Sequence, residues 1–211
     1  MELAGEHGTS IREKLHAQII KLQYGRTNTF LIGGTVGNLL VDTDYPGTLY
    51  SLYKALRNNH LSIKDIQWVL ATHYHPDHMG LISALMEQGV RLLVMDVQKD
   101  DIHFSDAIFA RDRIPYSPIQ DEQATIITCE GSREFLKQLR ISGEIISTPS
   151  HSKDSVCLVL DEGECLAGDL VRYECLEAYE NGPAERNDWQ NVMLFHPKRI
   201  LYAHGPEEVL C

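Results

Sequence analysis

The chain has 211 residues, of which 43% are hydrophobic and 23% charged, so it can build one substantial core and has a globular composition. Its net charge of −11 argues against a nucleic-acid partner, because phosphate backbones call for basic surfaces. There is no apolar stretch of the roughly 20 residues that cross a bilayer, and no signal-peptide pattern at the start. We expect a cytoplasmic protein without a membrane partner, forming a single domain over residues 1–211 with a loose segment at 1–14.

Strand-like and helix-like patterns alternate through the first half of the chain. Three short strands are predicted over residues 14–23, 27–34 and 37–44. Residues 33–37 read as the turn of a hairpin between the last two. A helix is predicted over 46–60, where proline stands first and leucines recur at helical spacing, and a buried strand follows over Ile66–Thr72. Pro76 then opens a second helix. The apolar face of this second helix includes Leu81, Ile82 and Leu85.

The second half continues with alternating elements. Residues 90–96 predict a strand, and the charged and aromatic mixture over 96–124 predicts a helix and a loop. Four or five short strands are expected within 126–170. A helix over 184–195 and a strand over 199–203 close the pattern.

One loop concentrates metal-binding side chains. Residues 71–80 read ATHYHPDHMG and hold three histidines and one aspartate within six positions, between a predicted strand and a predicted helix. Three further residues of this kind lie next to predicted strands, namely His151, Asp169 and His204. A lone histidine or aspartate at a strand end is usually structural, but this group has the imidazoles and carboxylates that zinc, iron or manganese prefer.

These motifs, in this order, resemble those of the metallo-β-lactamase-fold hydrolases. The resemblance rests on the H-x-H-x-D-H run, the TPSHS histidine, the GD aspartate, the HG histidine and the segment LLVDTDYPG at 39–47. It covers residues from about 18 to 206. It implies an α/β architecture, a four-layer αββα sandwich of two mixed β-sheets flanked by helices, with a metal site at one sheet edge.

The resemblance also implies a pair of divalent metal ions, with zinc expected and manganese or iron as alternatives. By carry-over, His73, His75 and His151 bind one ion, Asp77, His78 and His204 bind the other, and Asp169 bridges them. Two such ions share a hydroxide that can cleave a small-molecule ester, thioester, lactone or phosphoester. Asp77 is expected to orient that hydroxide or to pass a proton to the leaving group. For Asp42 two roles stay open. It supports a ligand, through the ligand's other ring nitrogen or through the ligand loop, or it is a simple turn cap.

Several interpretations stay open at this point. Tyr173 either donates a hydrogen bond to a developing oxyanion or packs in the core. Residues 96–124 form either an apolar pocket wall with an anion contact or a surface loop with core anchors; the side chains concerned are Phe104, Phe109, Tyr116, Arg111 and Arg113. The alternative functions are a mononuclear iron sulfur dioxygenase of the same fold and a non-catalytic metal-binding or sensor module.

Departures from the family pattern and the chain length add two expectations. Asp44, Ser150 and Asp154 stand where the family usually has glycine, so the backbone around them is expected to be tighter or shifted. Few residues follow His204, and 34 separate it from Asp169. We therefore expect neither the glutathione-holding nor the flavin domain of some relatives, nor the insertion of the RNA-cleaving members.

Overall fold

The computed structural model describes residues 18–33, 37–178 and 182–210. Residues 34–36 of the predicted hairpin turn, the N-terminal segment 1–14 and the start of the first predicted strand lie outside these ranges. Within them, eleven strands form two sheets, flanked by six α-helices. Among these helices, none is long and apolar enough to span a bilayer.

The first sheet contains six strands in chain order. They are β1 (Gln18–Leu22), β2 (Thr29–Gly33), β3 (Asn38–Val41), β4 (Trp68–Leu70), β5 (Arg91–Met95) and β6 (Thr125–Ile127). The strands β1 to β3 pair antiparallel, and β3 to β6 pair parallel. The residues of β2 and β4 are buried throughout, which explains their nearly continuous apolar sequences, because both faces of this sheet are covered.

The second sheet contains five strands in the order β11-β10-β9-β8-β7. They are β7 (Gly143–Ser147), β8 (Val156–Leu160), β9 (Glu164–Gly168), β10 (Arg199–Tyr202) and β11 (Glu208–Val209). Only β9 and β10 pair parallel, so this sheet is mixed as well. The strands expected within 126–170 are confirmed as four, β6 to β9, and the first begins at Thr125. The short β11 was not predicted.

The helices confirm part of the predicted pattern. They are α1 (Leu49–Asn58), α2 (Pro76–Met79), α3 (Ile82–Glu87), α4 (Asp106–Asp112), α5 (Ser132–Gln138) and α6 (Pro183–Met193). The predicted start of α1 at Pro46 is wrong, because the helix begins at Leu49 and Pro46 lies in the preceding turn. Pro46 packs closely on Gly80: a Cβ added at Gly80 would lie 2.5 Å from the Pro46 ring. The helix α5 was not predicted, whereas α6 lies where a helix was expected.

The helix predicted from Pro76 begins there but does not run on unbroken. The carbonyl of Asp77 accepts a hydrogen bond from the hydroxyl of Thr27 at 2.8 Å, and that of His78 accepts one from the backbone N–H of Thr43 at 2.9 Å. These contacts replace helical hydrogen bonds, so α2 ends after one turn and α3 begins after a gap of two residues. Burial is nevertheless confirmed for the three predicted apolar positions, Leu81, Ile82 and Leu85.

Three apolar clusters account for the layering. One fills the space between the sheets and includes Leu70 and Leu158. Another packs α1 and α3 on the outer face of the first sheet, and the third packs Trp189 of α6 on the outer face of the second sheet. The predicted αββα sandwich is therefore confirmed.

The strand directions place the polar loops at one edge of the sandwich. The parallel strands β3 and β4 end at the same edge of the first sheet. In the second sheet β9 is parallel to β10, and β7 has the direction of β9 because both are antiparallel to β8. Carboxyl ends of such strands are where α/β folds gather ligand-binding residues. Asp42, residues 71–80, His151, Asp169 and His204 all follow these ends.

Candidate metal centre

The loops after β3 and β4 are tied together by Asp42 and Thr72. The Asp42 carboxylate accepts hydrogen bonds from the backbone N–H of Thr72 at 2.7 Å and from its hydroxyl at 3.0 Å. The Thr72 hydroxyl oxygen also lies 3.2 Å from Nδ1 of His73 and 3.4 Å from Nδ1 of His78. The histidine loop, residues 71–75, is thus held by buried polar contacts before any metal is considered.

Three imidazoles face one another at one end of the site. Nδ1 of His75 lies 3.0 Å from Nε2 of His73 and 3.2 Å from Nε2 of His151. His151 belongs to the His151 loop, residues 148–155, which joins β7 to β8. One proton can serve only one of these two contacts, because a neutral imidazole has a single N–H. The convergence leaves surplus nitrogen lone pairs, which a cation can share.

A second group lies beside the first. Nε2 of His204 is 3.2 Å from Oδ2 of Asp77, and Nε2 of His78 is 3.9 Å from Oδ1 of Asp77. The other ring nitrogen of His78, Nδ1, lies 3.2 Å from Oδ2 of Asp42. Asp42 therefore contacts both the ligand-type ring of His78 and the histidine loop, which are the two supporting roles considered from the sequence.

Asp169 lies between the two groups. Its Oδ2 is 3.4 Å from Nε2 of His78 and 3.7 Å from Nε2 of His151, and its Oδ1 is 3.5 Å from Nε2 of His204. The structure thus brings all seven predicted side chains together. They form three overlapping groups whose ligand atoms lie within 4.8 Å of one another: His73, His75 and His151; His73, His78 and Asp169; Asp77, His78 and His204.

Two buried atoms show that these residues fit metal ions. Nε2 of His78 and Oδ1 of Asp169 have no hydrogen-bond partner among the described residues. A buried polar atom without a partner is costly in a folded protein, and such atoms usually mark a missing water or ion. Imidazole nitrogens and carboxylate oxygens are ligands that zinc, manganese and iron accept. The chemistry of this donor set therefore fits a divalent cation.

Burial and neighbouring charges tune the protonation of the site. Burial, reinforced by the surrounding imidazoles, lowers the pKa of His73 well below its usual value, and burial also lowers the pKa of His151. Although burial favours the neutral acid, contact with His204 lowers the pKa of Asp77 to about 2, and contact with His78 likewise lowers the pKa of Asp169. At neutral pH these groups are neutral imidazoles and carboxylates, the forms that bind metals.

The three residues that stand where the family usually has glycine, Asp44, Ser150 and Asp154, all make hydrogen bonds in the loops around the site. Asp44 accepts hydrogen bonds from the backbone N–H groups of Arg26 and Tyr45, at 2.8 and 2.7 Å. The backbone N–H of Ser150 donates to the carboxylate of Asp188 on α6 at 2.7 Å, and Asp154 accepts a hydrogen bond from the histidine loop. Sequence reasoning did not identify Asp188, because a lone aspartate in a helix is usually at the surface.

The segment 96–124 divides between site and core. The Phe104 ring is 49% exposed, with its centroid 5.3 Å from that of the His75 ring. Phe109 is buried and packs on Tyr116 at 4.5 Å, so these two are core anchors. Arg111 is exposed and pairs with its neighbouring aspartate, and Arg113 is exposed in a left-handed backbone conformation.

Tyr173 lies at the start of a 3₁₀ turn, four residues after Asp169. Its ring is 37% exposed and packs edge-on against Trp189, with centroids 5.3 Å apart. Its backbone N–H donates to the hydroxyl of Tyr202 at 2.8 Å. The side chain is therefore supported on one face and open to solvent on the other.

Comparison with known proteins places this geometry in a family. The sequence model of the metallo-β-lactamase superfamily matches residues 23–204. A β-lactamase-like protein 2 homolog of Drosophila melanogaster is 27% identical over 186 residues, which cover 85% of this chain and 58% of that protein. A thioesterase of Emericella nidulans is 26% identical over 153 residues, covering 71% of this chain and 37% of the thioesterase. The chain thus spans only part of the length of both relatives.

A solved structure agrees with this placement. The crystal structure of a metallo-β-lactamase family protein from Thermus thermophilus superimposes with a TM-score of 0.62 at 18% identity, over 92% of this chain and 74% of that one. At this identity the likeness shows a shared fold. Since the sequence match extends over residues 23–204 and includes all seven clustered side chains, the chain belongs to the metallo-β-lactamase superfamily.

Proposed function

We propose that the protein is a metal-dependent hydrolase that binds two divalent ions, zinc foremost, and cleaves an ester or thioester bond in a small molecule. The observation that carries this proposal is the convergence of seven donor side chains in three overlapping groups. Membership of the superfamily supports it, and the thioesterase among the relatives makes a thioester the first substrate to test.

In this proposal the seven side chains would hold two ions, with Asp169 between the two sets of ligands. The side chains assigned to the first ion are His73, His75 and His151, and those assigned to the second are Asp77, His78 and His204. Asp42 orients His78 through the ring nitrogen that faces away from Asp77. The fully buried rings of His73 and His78 fix the depth of the site, while the more exposed His75, His151 and His204 leave it open to substrate.

The chain's own residues perform distinct tasks around the reaction. Bound divalent ions would lower the pKa of a water molecule toward neutrality and polarise the carbonyl or phosphoryl oxygen under attack. Asp77, ionised at neutral pH and partly exposed, orients that water or takes up its proton during the attack and passes that proton to the leaving group. Asp169 supplies negative charge between the two groups, which keeps both sets of imidazoles in place.

Aromatic side chains at the opening favour a substrate with an apolar part. Phe104 lies against His75. Tyr45 is 39% exposed, and its pKa is raised by burial and by the nearby Asp77 carboxylate. Half-exposed rings beside polar metal-type ligands are typical of small-molecule sites, where a few polar groups act among apolar walls. We therefore favour an acyl or aryl ester or thioester over a small polar phosphoester.

The proposal is tested by metal content and turnover together. Purified protein loaded with zinc, manganese or iron is analysed for metal and assayed on thioesters, esters, lactones and phosphoesters. We expect close to two ions per chain and hydrolysis of a thioester or ester. A His75→Ala variant should lose metal and turnover. A His103→Ala variant is the matched control, because His103 is 47% exposed and its ring pairs with Asp106 and Asp121, which are outside the set of seven clustered side chains.

Other outcomes would identify other functions. A folded protein that never takes up more than one ion, and that consumes oxygen with a persulfide when loaded with iron, would replace the hydrolase with a sulfur dioxygenase. A protein that holds two ions tightly and turns over none of the substrate classes would favour the metal-binding or sensor module.

A further inference from the structure

We propose that Gln98 and Asp154 are positioning residues, which hold the histidine loop and the His151 loop at the separation that one metal ion requires. The inference rests on the proposed function, since it concerns the ion assigned to His73, His75 and His151. Neither residue touches that ion's ligand atoms. Each acts through the backbone of the loops that carry the ligands.

Gln98 joins three chain segments through one side-chain amide. It lies just after β5 and is fully buried. Its Nε2 donates to the carbonyl oxygens of Ala71 at 2.9 Å, Asp154 at 3.1 Å and Thr72 at 3.3 Å, and its Oε1 accepts from the backbone N–H of Met95 at 3.1 Å. Because three carbonyl oxygens surround the nitrogen, the amide cannot flip without placing oxygen against oxygen. Its orientation is therefore fixed by both sheets.

Asp154 makes the reciprocal connection. Its side chain is buried, and Oδ2 accepts a hydrogen bond from the backbone N–H of Tyr74 at 2.7 Å. Tyr74 stands between His73 and His75. The hydroxyl of Ser152, next to His151, donates to the other carboxylate oxygen. One carboxylate therefore contacts the immediate neighbours of ligand-type histidines in both loops.

These contacts hold the ligand nitrogens of the histidine loop and of the His151 loop at the distance that one shared ion needs. His73 and His75 follow a strand of the first sheet, whereas His151 precedes a strand of the second. Zinc binds imidazole nitrogens at about 2.0–2.1 Å in tetrahedral geometry, which puts ligand nitrogens about 3.3 Å apart. The nitrogens of these three residues lie 3.0 and 3.2 Å apart. A shift of one loop by about 1 Å would spoil this match.

The second group has different support. His78 is oriented by Asp42 and Thr72, which lie in the loops after β3 and β4 of the first sheet. The bonds of the Asp154 carboxylate are made to Tyr74 and Ser152. Removing that carboxylate should therefore weaken the ion at His73, His75 and His151 far more than the ion at Asp77, His78 and His204. This asymmetry separates positioning from a general loss of stability.

Zinc affinity, measured by competition with a chromophoric chelator, tests the inference. We expect wild-type protein to bind two zinc ions, and Asp154→Ala to lose about 10–100-fold in affinity for one of them. Asp154→Asn keeps an oxygen that can accept the Tyr74 hydrogen bond, so it should bind both ions within about threefold of wild type. Gln98→Met, which keeps the volume but not the amide, should behave like Asp154→Ala.

A core variant controls for stability. Leu56→Ala removes a fully buried side chain of α1, a helix that carries none of the seven clustered side chains, so it should lower the melting temperature and leave both zinc affinities unchanged. If wild-type protein binds fewer than two ions of zinc, manganese or iron, the proposed function fails. If it binds two ions and Asp154→Ala also binds both as tightly, the positioning inference is overturned while the proposed function stands. The Asp154 pair decides the matter even where Gln98→Met does not fold.

Discussion

Gly168 and Thr72 approach so closely that a Cβ added at Gly168 would lie 2.6 Å from the Thr72 hydroxyl oxygen. Gly168 ends β9 with a φ of +54°, in the left-handed region that favours glycine, and immediately precedes Asp169. Thr72 begins the ligand-bearing part of the histidine loop. The two sheets therefore meet at this contact, and the direction of the chain into Asp169 depends on it.

Replacement of Gly168 by alanine should damage both stability and metal binding. Backbone strain alone should lower the free energy of unfolding by about 1–2 kcal/mol, and the clash with Thr72 should displace Asp169. Thermal unfolding and zinc titration measure the two effects. Gly163→Ala is the control for backbone strain, because Gly163 also has a positive φ, +110°, but the three atoms nearest to an added Cβ all belong to the flexible side chain of Lys198. An unchanged zinc affinity in Gly168→Ala would contradict this role for the contact.

The sequence was sufficient to predict the layered fold and the gathering of the seven side chains because its motifs resemble those of a known family. The local pattern agrees with that prediction, since each of those side chains lies beside an apolar strand or at a helix start. It was not sufficient for Gln98, since a single buried amide in a polar stretch leaves no periodic signal. The helix Ser132–Gln138 was missed for a related reason: it is short and fully buries only Leu136 among its apolar residues.

Asp42 gives a prediction for pH dependence in metal-free protein. Burial opposes charge on His78, but Asp42 and Asp169 raise the pKa of its ring from 6.5 to about 10. Because the pKa of His78 is higher in the folded state than in the unfolded state, its protonation adds to the free energy of unfolding. This contribution is complete below pH 6.5 and is lost as the pH rises toward 10. Asp42→Asn should reduce the loss, because the neutral amide still accepts from Thr72 but no longer attracts the imidazolium.

Urea unfolding in the presence of a chelator measures this effect. Between pH 6.5 and about 9.5, the free energy of unfolding should fall more steeply for wild type than for Asp42→Asn. Other groups that titrate in this range are common to both proteins and cancel in the difference. Parallel curves for the two proteins would show that Asp42 does not hold the charge on His78.

Asp169→Asn should reduce the metal content of the protein while leaving its fold intact. The amide keeps the size of the side chain but removes the negative charge that lies between the imidazoles of His78, His151 and His204. We expect elemental analysis to find one ion or fewer per chain and hydrolysis to collapse, while circular dichroism shows a native fold. Full metal content with near-normal turnover would exclude a shared role for this carboxylate in the two sites.

Tyr173→Phe tests whether the exposed hydroxyl takes part in the reaction. The ring packs on Trp189, and phenylalanine preserves that contact, so stability should be unchanged. If the hydroxyl donates to a developing oxyanion, kcat should fall by up to about 10²–10³-fold with metal content intact. A change in KM alone, or no change, would assign the side chain to packing at the site opening.

Phe104→Ala should alter substrate preference without altering the metal site. The ring lies beside His75 and is half exposed, so it is free to cover an apolar part of a bound substrate. Losing roughly 1.4 kcal/mol of such contact corresponds to about a tenfold rise in KM for the best acyl or aryl substrate. We expect kcat and zinc content to stay near wild type, and small acetyl substrates to be affected less.

Tyr50→Ala is the control, because Tyr50 is 75% exposed on α1, and it should leave KM unchanged. Equal losses for acetyl and long-chain substrates would show that Phe104 supports His75 itself, and zinc affinity would then fall together with the rate.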